Sequence, residues 1–297
     1  MFEQIDEFLS YLSTQKRYSI HTITSYKNDI SSAVTYFISL YEIETIETVK
    51  FFHLRSYIVA QLKQGMSAKT VNRKISALRS FYKYLVKKDI VIVNPMLKIV
   101  APKIPKRLPD FVSKSDVSTL FDSLPFGDLF SETRDYIIIL ILYNTGIRKS
   151  ELIGLTNKSI DFAQKRMSVV GKGNKERIIP ISTSLIVKLK QYIKLRNTTF
   201  GLAGNTLLLT DKGNKLYPKF VYNVVNRVLT EIATNTRKSP HILRHTFATH
   251  MANNGAELNC IKELLGHSSL AATQIYTHNS IQKLKDVHAR THPKGQL

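Results

Sequence analysis

Apolar residues recur at helical spacing through the first third of the chain. The opening stripe predicts a helix, because its members share one face at 3.6 residues per turn: Phe2, Ile5, Phe8, Leu9 and Leu12. Similar patterns predict helices over about 19–40 and 50–63. Gly65 interrupts the pattern, and the Ser67 hydroxyl is suited to cap a fourth helix.

The fourth predicted helix has two faces of different chemistry. One carries an apolar stripe at spacings of 4, 3, 4 and 3: Val71, Ile75, Leu78, Tyr82 and Leu85. The opposite face carries basic and hydroxyl residues and no acid: Lys69, Arg73, Ser76, Ser80, Lys83 and Lys87. Because such groups suit phosphate oxygens, we interpret this face as DNA-binding. An ordinary solvated face, which usually mixes both signs of charge, is the alternative.

The segment 101–112 divides the chain into two predicted domains, 1–100 and 113–297. It combines prolines with charge and cannot continue a helix. Two interpretations of this linker remain open: a simple tether, or a charged strand that lies along DNA.

The second predicted domain alternates helices with two short strands. The apolar run Tyr136–Tyr143 predicts a buried helix that ends near Gly146. Two strands around a glycine-containing turn follow: 167–170, the turn 171–174, and 177–180. Further helices are predicted to begin near Ser113, Ser184, Pro218, His241 and Leu258. The chain is thus predicted to be mainly α-helical.

The charge of the chain indicates the kind of partner. Lys and Arg number 43 against 22 acidic residues, which gives a net charge of +21. Such an excess suits a polyanion, and together with the basic helix face it favours nucleic acid over a membrane surface. The longest apolar run, 136–143, is too short to cross a bilayer.

The cysteine content fits a reducing compartment. Cys260 is the one cysteine, so an internal disulfide is impossible, and its apolar neighbours predict a place in the core. The acidic opening residues lack the basic region of a secretory signal. We therefore expect a cytoplasmic protein.

Several residues of the second domain suit phosphoryl transfer on DNA. That reaction needs a nucleophile, donors for the non-bridging oxygens and an acid for the departing 5′ oxygen. Arginines can replace a divalent metal, because a guanidinium offers phosphate a fixed fork of donors. The candidates are Arg148 after the buried helix, Lys172 on the glycine turn, His241 and Arg244 on one helical face, His267 at a helix end and Tyr276 in a polar setting.

Neither a metal nor a cofactor is expected. His241 and His245 are spaced i, i+4, but Ile242 stands where the metalloprotease helix needs glutamate. Arg244 between the two histidines would repel a cation. No P-loop pattern occurs, and none is needed if one phosphodiester is exchanged for another.

These candidates lie in segments that closely resemble the tyrosine recombinases, in particular their bacterial Xer type. The similar segments are TGIRKSEL (145–152), VVGKGNKERIIPIS (169–182), the stretch 241–278 with its HILRH, LLGH and IYTH motifs, and HARTHPKG (288–295). SAKTVNRKISALRSFYKYL (67–85) is similar to the family's core-binding domain. The resemblance spans essentially the whole chain.

The resemblance implies a fold and a role for each candidate. The fold is a helical, SAM-like core-binding domain followed by a mostly helical catalytic domain with a small antiparallel sheet, the two forming a clamp around DNA. The implied roles are phosphate binding by Arg148, Arg244 and His241, general acid for Lys172, a further phosphate contact for His267, and nucleophile forming a 3′-phosphotyrosyl link for Tyr276.

The implied function is site-specific recombination that resolves chromosome or plasmid dimers. The partners would be double-stranded DNA with a specific site, and copies of the chain or a paralogous recombinase in a tetramer; an activator protein is left open. One alternative is an integrase or invertase of a mobile element with the same chemistry. Another is a DNA-binding protein without catalysis, and a type IB topoisomerase fits this short chain less well.

Overall fold

The computed structural model describes residues 1–104, 111–171, 174–201, 204–232 and 238–266. The chain forms two compact units, Met1–Arg107 and Leu108–Leu297. Each unit has a hydrophobic core of its own. Within the described ranges, no helix is both long and apolar enough to cross a membrane.

Four helices build the first unit: α1 (Phe2–Thr14), α2 (Ile20–Tyr41), α3 (Phe51–Lys63) and α4 (Ala68–Lys87). Each confirms a predicted helix. The Ser67 hydroxyl caps α4 as predicted, accepting a hydrogen bond from the Thr70 backbone N–H at 3.2 Å. Of the opening stripe, Phe2 stays outside the core, while the other four residues are buried.

Helix α4 has the two faces that its sequence predicts. Every residue of its apolar stripe is at most 1% exposed. Burying side chains of this size stabilises the fold by roughly 1.5–3 kcal/mol each, so the stripe fixes the rotation of the helix. The residues of the opposite face are exposed, except for the half-buried Ser80. Their contact with DNA stays a prediction.

The chain after α4 returns along that helix. Arg79 Nη2 donates to the Ile99 carbonyl at 2.5 Å, and Asn72 Nδ2 donates to the Pro102 carbonyl at 2.9 Å. The start of the proline-rich segment is therefore held against α4 and does not begin as a free tether.

The second unit combines helices with a small sheet. Its described elements are α5 (Lys114–Ser123), α6 (Phe130–Thr145), α7 (Lys149–Ile153), β1 (Ile160–Asp161), β2 (Arg166–Val170), β3 (Glu176–Pro180), α8 (Thr183–Phe200), α9 (Pro218–Ile232), α10 (Pro240–Asn253) and α11 (Leu258–Leu265). The sheet is antiparallel in the order β1-β2-β3. The mainly α fold with a small antiparallel sheet is confirmed, whereas α7 and β1 were not predicted.

Helix α6 is the centre of this unit. Every residue from Thr133 to Thr145 is buried, and the helix packs against α8 and α10. It ends at Gly146, as predicted, in the left-handed conformation that glycine favours. Cys260 is buried in the same core, as expected.

Candidate active site

Arg148 follows α6 after a tight turn. At Gly146 the backbone has a φ of +60°, and an added Cβ would lie 2.6 Å from the Phe247 ring and 2.8 Å from Leu265. Conformation and space both require glycine here. The turn places Arg148 at the N-cap of α7, where its side chain is 32% exposed.

The carboxylate of Glu151 binds Arg148 twice. Its Oε2 accepts from the Arg148 backbone N–H at 2.7 Å, and its Oε1 accepts from Nη1 at 2.8 Å. The Glu151 side chain is only 3% exposed. A buried carboxylate therefore fixes Arg148 in place, while part of the Arg148 side chain stays accessible to solvent.

Arg177, on strand β3, binds the same carboxylate from the sheet. Its Nη1 donates to Oε1 of Glu151 at 2.9 Å, and its Nη2 donates to Oε2 at 2.8 Å. A carboxylate offers about four acceptor positions. Arg148 and Arg177 together supply four donors, so Glu151 is fully used.

Arg244 reaches the same region from α10. It is buried, and its Nη1 and Nη2 donate to the carbonyls of Gly146 and Leu265, both at 2.7 Å. His241 lies three residues earlier on the same helix and is exposed. The pattern that placed these two residues on one helical face is confirmed by α10.

The three arginines also hold the end of α11. Arg177 Nε donates to the Leu264 carbonyl at 2.8 Å, Arg244 binds Leu265, and Arg148 Nη2 donates to the Gly266 carbonyl at 3.2 Å. The last carbonyls of a helix lack partners within it and carry partial negative charge. Cationic donors therefore stabilise this helix end, and they fix its position against Arg148.

Arg148, Arg177, Arg244 and Glu151 form a group of closely spaced charges, which we call the arginine cluster. Burial raises the pKa of Glu151, but hydrogen bonds from Arg177 and Arg148 outweigh it and lower the pKa to about 2. Burial, with the charge of Arg148 nearby, lowers the pKa of Arg244 to about 10. At neutral pH Glu151 is therefore ionised and Arg244 is protonated. Three guanidinium groups and one carboxylate leave a surplus of positive charge, which favours the binding of a second anion.

The structure brings together part of the predicted site. Arg148 and Arg244 meet at the end of α11, and His241 lies on the same helix as Arg244. Lys172, His267 and Tyr276 lie outside the described residues. The two strands predicted around Lys172 pair with each other, with Val170 opposite Glu176. Across the described ranges, no group of three side chains suited to a metal ion occurs.

Sequence reasoning missed Glu151 and Arg177. Glu151 follows Arg148 by three residues, a spacing that brings side chains together on a helix. Arg177 lies two residues before the buried Ile179 on β3. Because side chains alternate between the two faces of a strand, Arg177 is on the same inner face. Both spacings can be read from the sequence, but neither shows that Glu151 and Arg177 bind each other.

A second charged group lies in the first unit, beneath the basic face of α4. Arg73 donates to the buried carboxylate of Asp29 and to the Ser25 hydroxyl. Lys74 Nζ donates to the Tyr57 hydroxyl at 3.1 Å. Burial raises the pKa of Asp29, although Arg73 and Lys74 counteract it. Arg73 is therefore an anchored member of the face, not a free surface cation.

Comparison with known proteins assigns the chain to a class. Residues 111–283 match the phage integrase family, and residues 5–89 match the N-terminal SAM-like domain of phage integrases. The chain belongs to the phage integrase family and is a site-specific tyrosine recombinase.

Curated relatives narrow the comparison. The chain is 37% identical to the tyrosine recombinase XerC of Pelobacter propionicus, over 100% of this chain and 97% of that protein. It is 36% identical to XerC of Thermodesulfovibrio yellowstonii, over 97% and 96% of the two chains. The resemblance to the Xer type is thus confirmed over nearly the full length.

Solved structures share the fold. The XerH site-specific recombinase bound to a palindromic difH substrate matches with a TM-score of 0.72 at 20% identity, over 96% of this chain and 84% of that chain. The Tn1549 transposon integrase in complex with transposon right end DNA matches with a TM-score of 0.71 at 19% identity, over 95% and 98%.

Proposed function

We propose that the arginine cluster holds the scissile phosphate of double-stranded DNA. The observation that carries this proposal is the surplus of positive charge: Arg148 and Arg177 bind one buried carboxylate, Arg244 joins them at the end of α11, and Arg148 is partly accessible from outside. A fork of donors in a partly buried site suits the non-bridging oxygens of phosphate, on which charge builds in the transition state.

The remaining candidates would complete the reaction. Tyr276 attacks phosphorus and forms the 3′-phosphotyrosyl bond, while the bond to the 5′ oxygen breaks and that oxygen takes a proton from Lys172. His241 or a phosphate oxygen takes the tyrosine proton, and His267 adds a phosphate contact. A free tyrosine titrates near pH ~10, so neighbouring cations are needed to favour its phenolate. With arginines in this role, the reaction needs neither a metal nor another cofactor.

The proposed DNA interface includes the first unit. The exposed face of α4 presents lysines, serines and the anchored Arg73, which suit phosphate oxygens. Both units would hold the duplex as a clamp, and four copies, or pairs with a paralogous recombinase, would act together on two sites.

The biological role we propose is resolution of chromosome or plasmid dimers in the cytoplasm. It is supported by relatives that carry the name XerC and are 32–37% identical over nearly their whole length. The transposon integrase shares the fold at 19% identity, which does not favour the mobile-element alternative.

The test is covalent trapping on nicked DNA. We expect Tyr276→Phe to bind the duplex as the unchanged protein does but to form no adduct that survives denaturant, because only the nucleophilic hydroxyl is lost. Tyr222→Phe is the matched control, since Tyr222 is an exposed tyrosine on α9. Both proteins are assayed in EDTA.

Two results would contradict the proposal. An adduct formed by the Tyr276→Phe protein would mean that another residue is the nucleophile. Loss of cleavage in EDTA that magnesium restores would mean that arginines do not replace a metal.

A further inference from the structure

Arg177 is an unusual residue for the inner face of a sheet. On β2 and β3 the buried positions are Met167, Val169, Arg177, Ile179 and Pro180. An arginine among apolar neighbours is costly to bury unless all its donors are paired. It lies opposite Val169 in the ladder, with its side chain 7% exposed.

The contacts of Arg177 link parts of the site that are distant in sequence. Its Nη atoms bind the Glu151 carboxylate at 2.8 and 2.9 Å, and Glu151 in turn binds Arg148. Its Nε holds the carbonyl of Leu264 at 2.8 Å. A single side chain thus joins β3, which follows Lys172 in the sequence, to α7 and to the end of α11.

From these contacts we propose that Arg177 is a positioning residue for the phosphate-binding arginine Arg148. It sets the direction of the Glu151 carboxylate, and the carboxylate sets the direction of the Arg148 guanidinium. The inference rests on the proposed function, because it assigns Arg177 to the same phosphate site. Arg177 itself does not touch the substrate.

A purely structural ion pair is the competing explanation. Buried ion pairs are often replaced by apolar residues of similar volume without loss of stability, so stability alone does not distinguish the two roles. Geometry does. A lysine can neutralise Glu151, but it cannot bind both carboxylate oxygens and the Leu264 carbonyl in one plane. Positioning therefore requires arginine, whereas neutralisation does not.

The experiment measures cleavage of nicked DNA by Arg177→Met and Arg177→Lys. Arg166→Met is the matched control: Arg166 lies on neighbouring β2 and pairs with Asp161 at 3.0 Å, away from the arginine cluster. We expect both Arg177 variants to lose cleavage by about 10- to 100-fold, the loss typical when a group that orients a ligand is removed. The control should stay within about twofold of the unchanged protein.

A second substrate separates positioning from general damage. In a methylphosphonate, a methyl group replaces one non-bridging oxygen, so less negative charge builds up for Arg148 to stabilise. The defects of Arg177→Met and of Arg148→Ala should both shrink on this substrate. If Arg177→Met is equally slow on both substrates, or cleaves both normally, Arg177 does not act through Arg148 and the inference is overturned.

One further variant covers the risk that Arg177→Met fails to fold because the buried Glu151 keeps only Arg148 as its ion-pair partner. Adding Glu151→Gln removes the buried charge, and the double variant should cleave no more slowly than Glu151→Gln alone, since both changes interrupt one chain of contacts. Fully additive losses would overturn the inference. Normal cleavage by Arg148→Ala would instead overturn the proposed function, independently of Arg177.

Discussion

At the scale of single residues, Glu151 decides how the arginine cluster holds together. Two guanidinium groups bind its carboxylate directly, and its charge also acts on Arg244. Without it, three cations would repel one another in a partly dry site, where charges are poorly screened. The carboxylate supplies enough negative charge to assemble the cluster and leaves a surplus of positive charge, as the proposed phosphate binding requires.

Glu151 should make the stability of the second unit depend on acid. Its pKa in the folded protein is about 2, below the ordinary value of 4.5, so its contribution is complete above about pH 5 and is lost as the pH falls toward 2. We expect Glu151→Gln to cost on the order of 3 kcal/mol in the free energy of unfolding at neutral pH. That gap should narrow progressively between pH 5 and pH 3.

Urea unfolding at several pH values measures this effect. Glu231→Gln, a change at an exposed glutamate of α9, is the control and should leave the free energy of unfolding nearly unchanged. A gap between Glu151→Gln and the unchanged protein that is the same at pH 7 and pH 3 would contradict the prediction.

At the scale of elements, α4 has one face that packs in the core and an opposite basic face that is exposed. Its stripe is fully buried and its basic face is open, so changes on that face should alter DNA affinity without altering the fold. Arg73 is the exception, because the buried Asp29 holds it. Lys69 and Lys83 are the better probes of phosphate binding.

The double variant Lys69→Ala/Lys83→Ala should bind DNA more weakly and with less dependence on salt. Each lost phosphate contact lowers the slope of log K against log salt by roughly 0.9, so two contacts lower it by roughly 2. Binding titrations at several salt concentrations measure the slope. Lys63→Ala, on the exposed side of α3, is the control; if the double variant has the slope of the control, α4 does not face DNA.

Helical periodicity predicted the long elements because their apolar stripes are long. The short elements α7 and β1, with five and two residues, offer too few positions for any period to be visible. Neighbouring structure determines both elements: α7 starts after the Gly146 turn, and β1 is held by pairing with β2.

The residue types of the candidate site and their order along the chain were sufficient to predict some of its members. Arg148 and Arg244 were selected as phosphate ligands, and the structure brings them together. The buried contacts that orient them could not be predicted, because they depend on tertiary packing. Glu151 and Arg177 meet only once α7 lies against β3, which no local pattern specifies.

At the scale of the whole molecule, the chain consists of two units with separate cores. We propose that each folds without the other and that the connecting segment serves to raise DNA affinity. Two binding modules on one chain bind more tightly than either alone, because the second contact becomes intramolecular.

Cutting the chain between the units tests this directly. A protease site inserted between residues 107 and 108 allows cut and uncut protein of the same composition to be compared. We expect both halves to keep their helical circular dichroism and their thermal transitions, while DNA affinity falls by about 100-fold or more. Loss of either transition on cutting would show that the units depend on each other for folding.

The arginine cluster also has a consequence for when the enzyme can act. Its parts leave the ribosome in sequence: Arg148 and Glu151 first, then Arg177, then Arg244, and last the carbonyls of α11. A growing chain cannot assemble the complete cluster until α11 has emerged and packed, and a partly unfolded chain loses the cluster again. If the cluster holds the scissile phosphate as proposed, cleavage requires a chain that has folded through α11, and an incomplete chain would leave DNA uncut.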